Sequence, residues 1–120
     1  MRNLLLVLIV RDAGLRSTLA ARLSLTGADL VTAEDFHDPV IGRSVRRPAT
    51  LVVDRATMER QVEGWVDGLL GQPLWRRVVV LTDRRDHAEP ANDRLVLIDR
   101  AGAAAGLIEL LPRWAAEHQA

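Results

Sequence analysis

Short apolar runs alternate along the chain with segments of helical periodicity, and this alternation restricts the possible folds. Five runs have the length and composition of buried β-strands, at residues 4–10, 29–33, 50–53, 78–81 and 95–98. Strands that alternate with helices predict parallel βαβ units with right-handed crossovers. The sequence therefore predicts an α/β fold, a flavodoxin-like, doubly wound parallel sheet of five strands in the order 2-1-3-4-5.

The segments between the runs carry apolar residues at helical spacing. Helices are predicted over residues 13–26, 57–70 and 103–117, whereas the segment 36–48 remains ambiguous. In the second helix an apolar stripe extends from Met58 through Val62 to Leu70. Pro112 is expected to kink or restart the last helix. The segment between the fourth and fifth strands is so short that helix 4 of the fold is predicted to be shortened or missing.

Composition excludes several classes of function. The 120 residues suffice for a single domain spanning 1–120. Cysteine is absent and all 16 basic residues are arginine, which excludes thiolate metal sites, cysteine nucleophiles and lysine Schiff bases. A formal net charge of zero argues against nucleic acid as a partner. No apolar run approaches the ~20 residues of a membrane span, so we expect a cytoplasmic protein with no membrane contact.

Polar and charged residues follow each of the five predicted strands. They are Arg11-Asp12, Glu34-Asp35, Asp54, Thr82-Asp83 and Asp99-Arg100. Because the carboxyl ends of parallel strands meet at one edge of the sheet, these side chains are expected to lie together near the switch point between strands 1 and 3. This edge is the predicted functional site.

The motifs at these strand ends resemble the receiver domain of two-component response regulators, the CheY-like family. The resemblance covers nearly the whole chain. It is carried by Leu-Ile-Val-Arg-Asp at 8–12, Val-Thr-Ala at 31–33, Leu-Val-Val-Asp at 51–54, Met58 with Glu63-Gly64, Val-Val-Leu-Thr at 79–82 and Leu-Val-Leu-Ile-Asp-Arg at 95–100. It implies that Asp54 is equivalent to the phosphoacceptor, that Thr82 matches the family's threonine, and that Asp12 is one of the acids that hold Mg²⁺.

The chain departs from the family's pattern at three positions of this pocket. Arg11 replaces one member of the acidic pair, Asp99 replaces the lysine, and Asp83 follows the threonine where the family prefers a small residue. Adjacent strands lie ~4.8 Å apart, so the Arg11 guanidinium is hypothesised to take the place of Mg²⁺ and to pair with Asp54. Together these departures predict a degenerate phosphorylation pocket.

Structural roles remain open for three of these residues. Asp12 and Asp54 each precede a predicted helix, and aspartate is a favoured N-cap. Thr82 is also an ordinary residue for a strand.

The sequence favours an atypical receiver, or pseudo-receiver, that is not an enzyme and acts through protein–protein interaction without a cofactor. The alternative is a phosphorylatable receiver that accepts a phosphoryl group on Asp54 and binds Mg²⁺ weakly through Asp12 and Asp54. A small α/β enzyme is the third possible function.

The expected partners are proteins, such as a histidine kinase or an output protein. The face formed by strands 4 and 5 and the last helix is a candidate homodimer surface.

Overall fold

In the part of the chain that the structure describes, five parallel strands form a single sheet in the order β2-β1-β3-β4-β5. The computed structural model describes residues 4–83 and 94–119, with side chains described as far as residue 117. The strands are β1 (Leu5–Ile9), β2 (Asp29–Ala33), β3 (Ala49–Asp54), β4 (Trp75–Thr82) and β5 (Leu95–Asp99). The predicted fold class and strand order are therefore confirmed. The prediction that helix 4 is shortened or missing concerns residues 84–93, which lie outside the described part of the chain.

Helices cover both faces of the sheet. They are α1 (Ala13–Ser24), α2 (Pro39–Ser44), α3 (Arg55–Glu59), α4 (Trp65–Leu70) and α5 (Ala103–Gln119), and a 3₁₀ turn (Arg100–Gly102) precedes α5. Alternate side chains of β1 and β3 point to opposite faces, so two apolar clusters form. Leu6 and Leu8 pack with α1 and α5, whereas Val7 and Ile9 pack on the face that α2 and α4 cover.

The predicted single helix over 57–70 is wrong, because the chain forms two short helices there. Helix α3 ends at Glu59 and α4 begins at Trp65. Gly64 lies between them with φ of +81°, a left-handed conformation that suits glycine and interrupts a continuous helix. Val62, which the apolar stripe placed toward the core, is 80% exposed.

Helix α5 continues through Pro112 without a second start, so the expected restart does not occur. Arg77 of β4 fixes the end of this helix to the sheet. Its guanidinium lies 4.6 Å from the centre of the Trp114 ring and donates to Glu117 at 2.8 Å. This bond lowers the pKa of the Glu117 carboxyl.

In the part of the chain that the structure describes, no helix has the length and apolarity to cross a bilayer.

Candidate functional site

Asp54 ends β3 and caps α3, and its carboxylate is bound on both oxygens by the main chain. Oδ1 accepts from the Thr57 N–H at 3.0 Å, and Oδ2 accepts from the Arg11 N–H at 2.8 Å. Asp54 is only 3% exposed. A buried carboxylate requires such donors, because unpaired burial of a charge is costly. The N-cap role that the sequence left open for Asp54 is therefore confirmed.

Arg11 reaches Asp54 through its main chain and not through its guanidinium. The Arg11 side chain is exposed and makes no ion pair with any residue in the described ranges. The hypothesised pairing of this guanidinium with the Asp54 carboxylate is thus absent from 4–83 and 94–119. Because the chain bends at Arg11, directly after β1, the N–H of this residue points to Asp54 at the end of β3.

Asp12 caps α1 and also forms an ion pair with the guanidinium of Arg100. Its Oδ1 accepts from the Leu15 N–H at 3.0 Å, and its Oδ2 accepts from Arg100 Nη2 at 2.7 Å. The Leu15 N–H, followed by the bond from Arg100, lowers the pKa of the Asp12 carboxyl. The N-cap role of Asp12 is confirmed, and both carboxylate oxygens are in use.

Arg100 joins two of the predicted site residues through contacts that the sequence did not indicate. Besides Asp12, its guanidinium lies 3.6 Å from the Asp83 carboxylate, so it bridges residues that follow β1 and β4. We call this group the Arg100 bridge: Arg100, Asp12 and Asp83. The strand-end pattern includes Arg100, which directly follows β5, but the pattern indicates no partner for this side chain. The hypothesis from the sequence instead assigned the role of the cation to Arg11.

Thr82 and Asp99 lie opposite each other in the register of β4 and β5. The Thr82 hydroxyl donates weakly to the Ile98 carbonyl at 3.5 Å, and Thr82 is 8% exposed. Asp99 accepts from the Ala101 N–H at 3.0 Å and so caps the 3₁₀ turn. The structure therefore divides the predicted pocket into two parts. Thr82, Asp83, Asp99 and Arg100 lie at the ends of β4 and β5, from where Arg100 reaches Asp12 after β1, and Asp54 with the Arg11 main chain lies toward β1 and β3.

The residues present do not fit a magnesium site. Mg²⁺ prefers carboxylate oxygens in near-octahedral geometry. Of the two acids that could serve, Asp12 is bound to Arg100 and to Leu15, and Asp54 is bound by two main-chain N–H groups. Within the described ranges no three acidic or histidine side chains are grouped as a metal site would require. The donor chemistry here is that of an internal ion pair and of helix caps.

The chain has the fold of a response regulator receiver domain, as its strand order and its similarity to a solved structure show. Among solved structures it is similar to a response regulator receiver domain protein from Bacillus halodurans, with a TM-score of 0.71. The two share 14% sequence identity over 93% of this chain and 97% of that chain. No protein-family model and no curated protein matches the chain significantly. The likeness confirms the predicted receiver fold.

Proposed function

We propose that the chain is an atypical receiver domain of a two-component signalling system, and that it acts through protein–protein contacts without efficient phosphorylation of Asp54. The observation that carries the proposal is the 2.7 Å contact between Arg100 and Asp12. Asp12 is the acid that a weakened magnesium site would need. An arginine held there supplies positive charge, but it cannot coordinate an incoming phosphoryl oxygen as a metal ion does.

The surroundings of Asp54 support the same proposal. Phosphoryl transfer needs a carboxylate oxygen that is free to attack phosphorus. Both Asp54 oxygens accept main-chain hydrogen bonds, and these bonds lower the nucleophilicity of the carboxylate. Asp99 stands where the family has a cation, so the opposite wall of the pocket carries a negative charge. Signalling then rests on surfaces that recognise a kinase or an output protein.

The deciding experiment is an amide NMR titration with Mg²⁺ and then with Mg²⁺ plus beryllofluoride, an acyl-phosphate mimic. We expect no saturable shifts at Asp12, Asp54 or Thr82 at millimolar metal. Saturable shifts at these three residues would instead establish the phosphorylatable receiver.

A variant that restores the family's pattern provides the positive control. The double substitution Arg11→Asp and Asp99→Lys adds an acid beside Asp12 and a cation beside Thr82, and we expect it to gain saturable binding of Mg²⁺ and beryllofluoride. Adding Asp54→Asn to this variant should remove the beryllofluoride response. If the double variant folds and binds no better than the natural sequence, these departures are not what inactivates the pocket.

A further inference from the structure

A cavity of about 220 Å³ opens beside the carboxyl-end edge of the sheet, away from the Arg100 bridge. It lies between the residue after β1, the segment after β2, and α3 with the residues that follow it. Its walls are formed by Arg11, Asp35, His37, Thr57, Arg60 and Gln61. We call it the Arg11–Arg60 cavity. Asp54 organises two of its walls, because its carboxylate binds the main chains of Arg11 and Thr57.

The two arginines at this cavity carry positive charge that no described residue neutralises. The side chains of Arg11 and Arg60 are exposed, and neither makes an ion pair or a hydrogen bond within residues 4–83 and 94–119. The negative wall is Asp35, whose Oδ1 accepts from the His37 N–H at 2.8 Å. Asp54 is not part of the lining, and the main-chain N–H groups of Arg11 and Thr57 stabilise its charge. The lining of the cavity therefore contains two arginines and a single acidic residue.

A buried hydroxyl supplies the second, independent observation. Thr57 lines the cavity and is 1% exposed, and its Oγ has no hydrogen-bond partner among the described residues. A buried polar group without a partner is rare in folded proteins and indicates a missing ligand or water. The side chain of Gln61, which also lines the cavity, is directed to the Thr57 carbonyl at 3.4 Å and leaves this hydroxyl unpaired.

We propose that the Arg11–Arg60 cavity binds a small tetrahedral oxyanion of the phosphate type. The guanidinium groups of Arg11 and Arg60 would bind its oxygens through paired N–H donors, and the Thr57 hydroxyl would donate to a third oxygen. The anion is held without a covalent bond, and Asp54 is not one of its ligands. This site goes beyond the proposed function and does not depend on it, since an oxyanion can occupy the cavity whether or not Asp54 accepts a phosphoryl group.

The test is a titration of the ¹⁵N-labelled domain with inorganic phosphate in magnesium-free buffer, against chloride at matched ionic strength. We expect saturable shifts of the Arg11 and Arg60 Nε–H signals and of the Thr57 amide, with none from chloride. Arg60→Gln should weaken phosphate binding about tenfold or more. Arg43→Gln, which changes an exposed arginine of α2 that is not part of the cavity lining, should leave phosphate binding unchanged.

Thr57→Val separates a ligand-binding hydroxyl from a structural one. Because Thr57 Oγ has no partner in the part of the chain that the structure describes, the variant should be at least as stable as the natural sequence without phosphate. It should nevertheless bind phosphate several-fold more weakly. A phosphate affinity in both Thr57→Val and Arg60→Gln that equals that of the natural sequence would overturn the proposal, as would shifts that never saturate and include Arg43. If Thr57→Val does not fold, the Arg60→Gln comparison alone decides.

A parallel titration with O-phosphoserine identifies the source of the phosphate group. Tighter binding than that of inorganic phosphate indicates an ester as the natural ligand, and weaker binding indicates the free ion. Failure of this site is distinguishable from failure of the proposed function. The phosphate titration reports on Arg60 and Thr57 without metal, whereas the beryllofluoride titration reports on Asp54 and Thr82 with metal.

Discussion

Individual aspartates at the carboxyl-end edge serve as helix caps. The side chains of Asp12, Asp38, Asp54 and Asp99 each accept a main-chain N–H at the start of a helical segment. Such caps satisfy N–H groups that have no partner within a helix. Three of the residues that the sequence assigned to the predicted pocket, Asp12, Asp54 and Asp99, therefore act as caps in this structure.

The first prediction concerns Asp54. Asp54→Asn retains one carbonyl oxygen, so one of the N–H groups of Arg11 and Thr57 must face an amide NH₂ group. We expect the free energy of unfolding to fall by about 1–3 kcal/mol, measured by urea denaturation. Asp67→Asn, at an exposed position of α4, is the matched control and should change stability by less than about 0.5 kcal/mol. Equal stability of the two variants would mean that the Asp54 hydrogen bonds contribute nothing.

The second prediction concerns the charge of Asp12. Its folded-state pKa is lowered below the ordinary value of 3.8, so the ionised carboxylate stabilises the folded protein. This contribution is present above the ordinary pKa and is lost as pH falls through the lower, folded-state pKa. Asn is also a good N-cap, so Asp12→Asn removes the charge and keeps the cap. We expect the variant to be less stable at about pH 6 and the difference to shrink toward about pH 3. A difference independent of pH would refute the role of the charge.

At the scale of elements, the strands were easier to predict than the helices. A run such as Leu-Leu-Val-Leu-Ile at 5–9 is buried on both faces, and its composition alone indicates a strand. The 57–70 helix failed because its apolar spacing is equally compatible with two short helices, and the backbone conformation of Gly64 decides between them. Spacing also cannot report the direction of an arginine side chain. For that reason the Arg100 bridge was missed and the Arg11 guanidinium was assigned a partner that it lacks.

The third prediction uses the two glycines at α4. Gly64 precedes the helix with positive φ, whereas Gly68 lies inside it with open space around an added Cβ. Gly64→Ala should destabilise the protein by about 1–2 kcal/mol, because an L-residue is strained in the left-handed region. Gly68→Ala should stabilise it by up to about 1 kcal/mol through helix propensity. Thermal unfolding measures both. A Gly64→Ala variant as stable as the natural protein would show that the break between α3 and α4 does not depend on Gly64.

The whole molecule has helices on both faces of the sheet and a strand at each edge. β5 is the last strand in the sheet order, and all five of its residues are partly exposed. A partly exposed edge strand offers unpaired main-chain groups to another chain. This arrangement supports the proposal of a homodimer through β4, β5 and α5. The topology was predictable because parallel strands with right-handed crossovers leave few alternatives, whereas the contacts of an edge depend on a partner.

The fourth prediction is that the domain forms a dimer in a concentration-dependent manner, as measured by sedimentation equilibrium. Val96→Thr, which keeps a residue suited to a strand and reduces apolar area on β5, should weaken the dimer. Leu25→Ser, at a residue that is 87% exposed after α1, should not affect it. A monomer at every concentration, or a dimer sensitive only to Leu25→Ser, would place the interaction elsewhere.

The contacts of Phe36 with two tryptophans allow intrinsic fluorescence to report on the Arg11–Arg60 cavity. Phe36 stands between Asp35 and His37 in the wall of the Arg11–Arg60 cavity, and its ring packs edge-on against Trp65 at 4.9 Å and Trp75 at 6.2 Å. The chain contains no tyrosine, so near-ultraviolet emission comes from its three tryptophans. A ligand that shifts the Phe36 segment therefore changes the surroundings of two of these emitters, and intrinsic fluorescence can follow the cavity without an added dye.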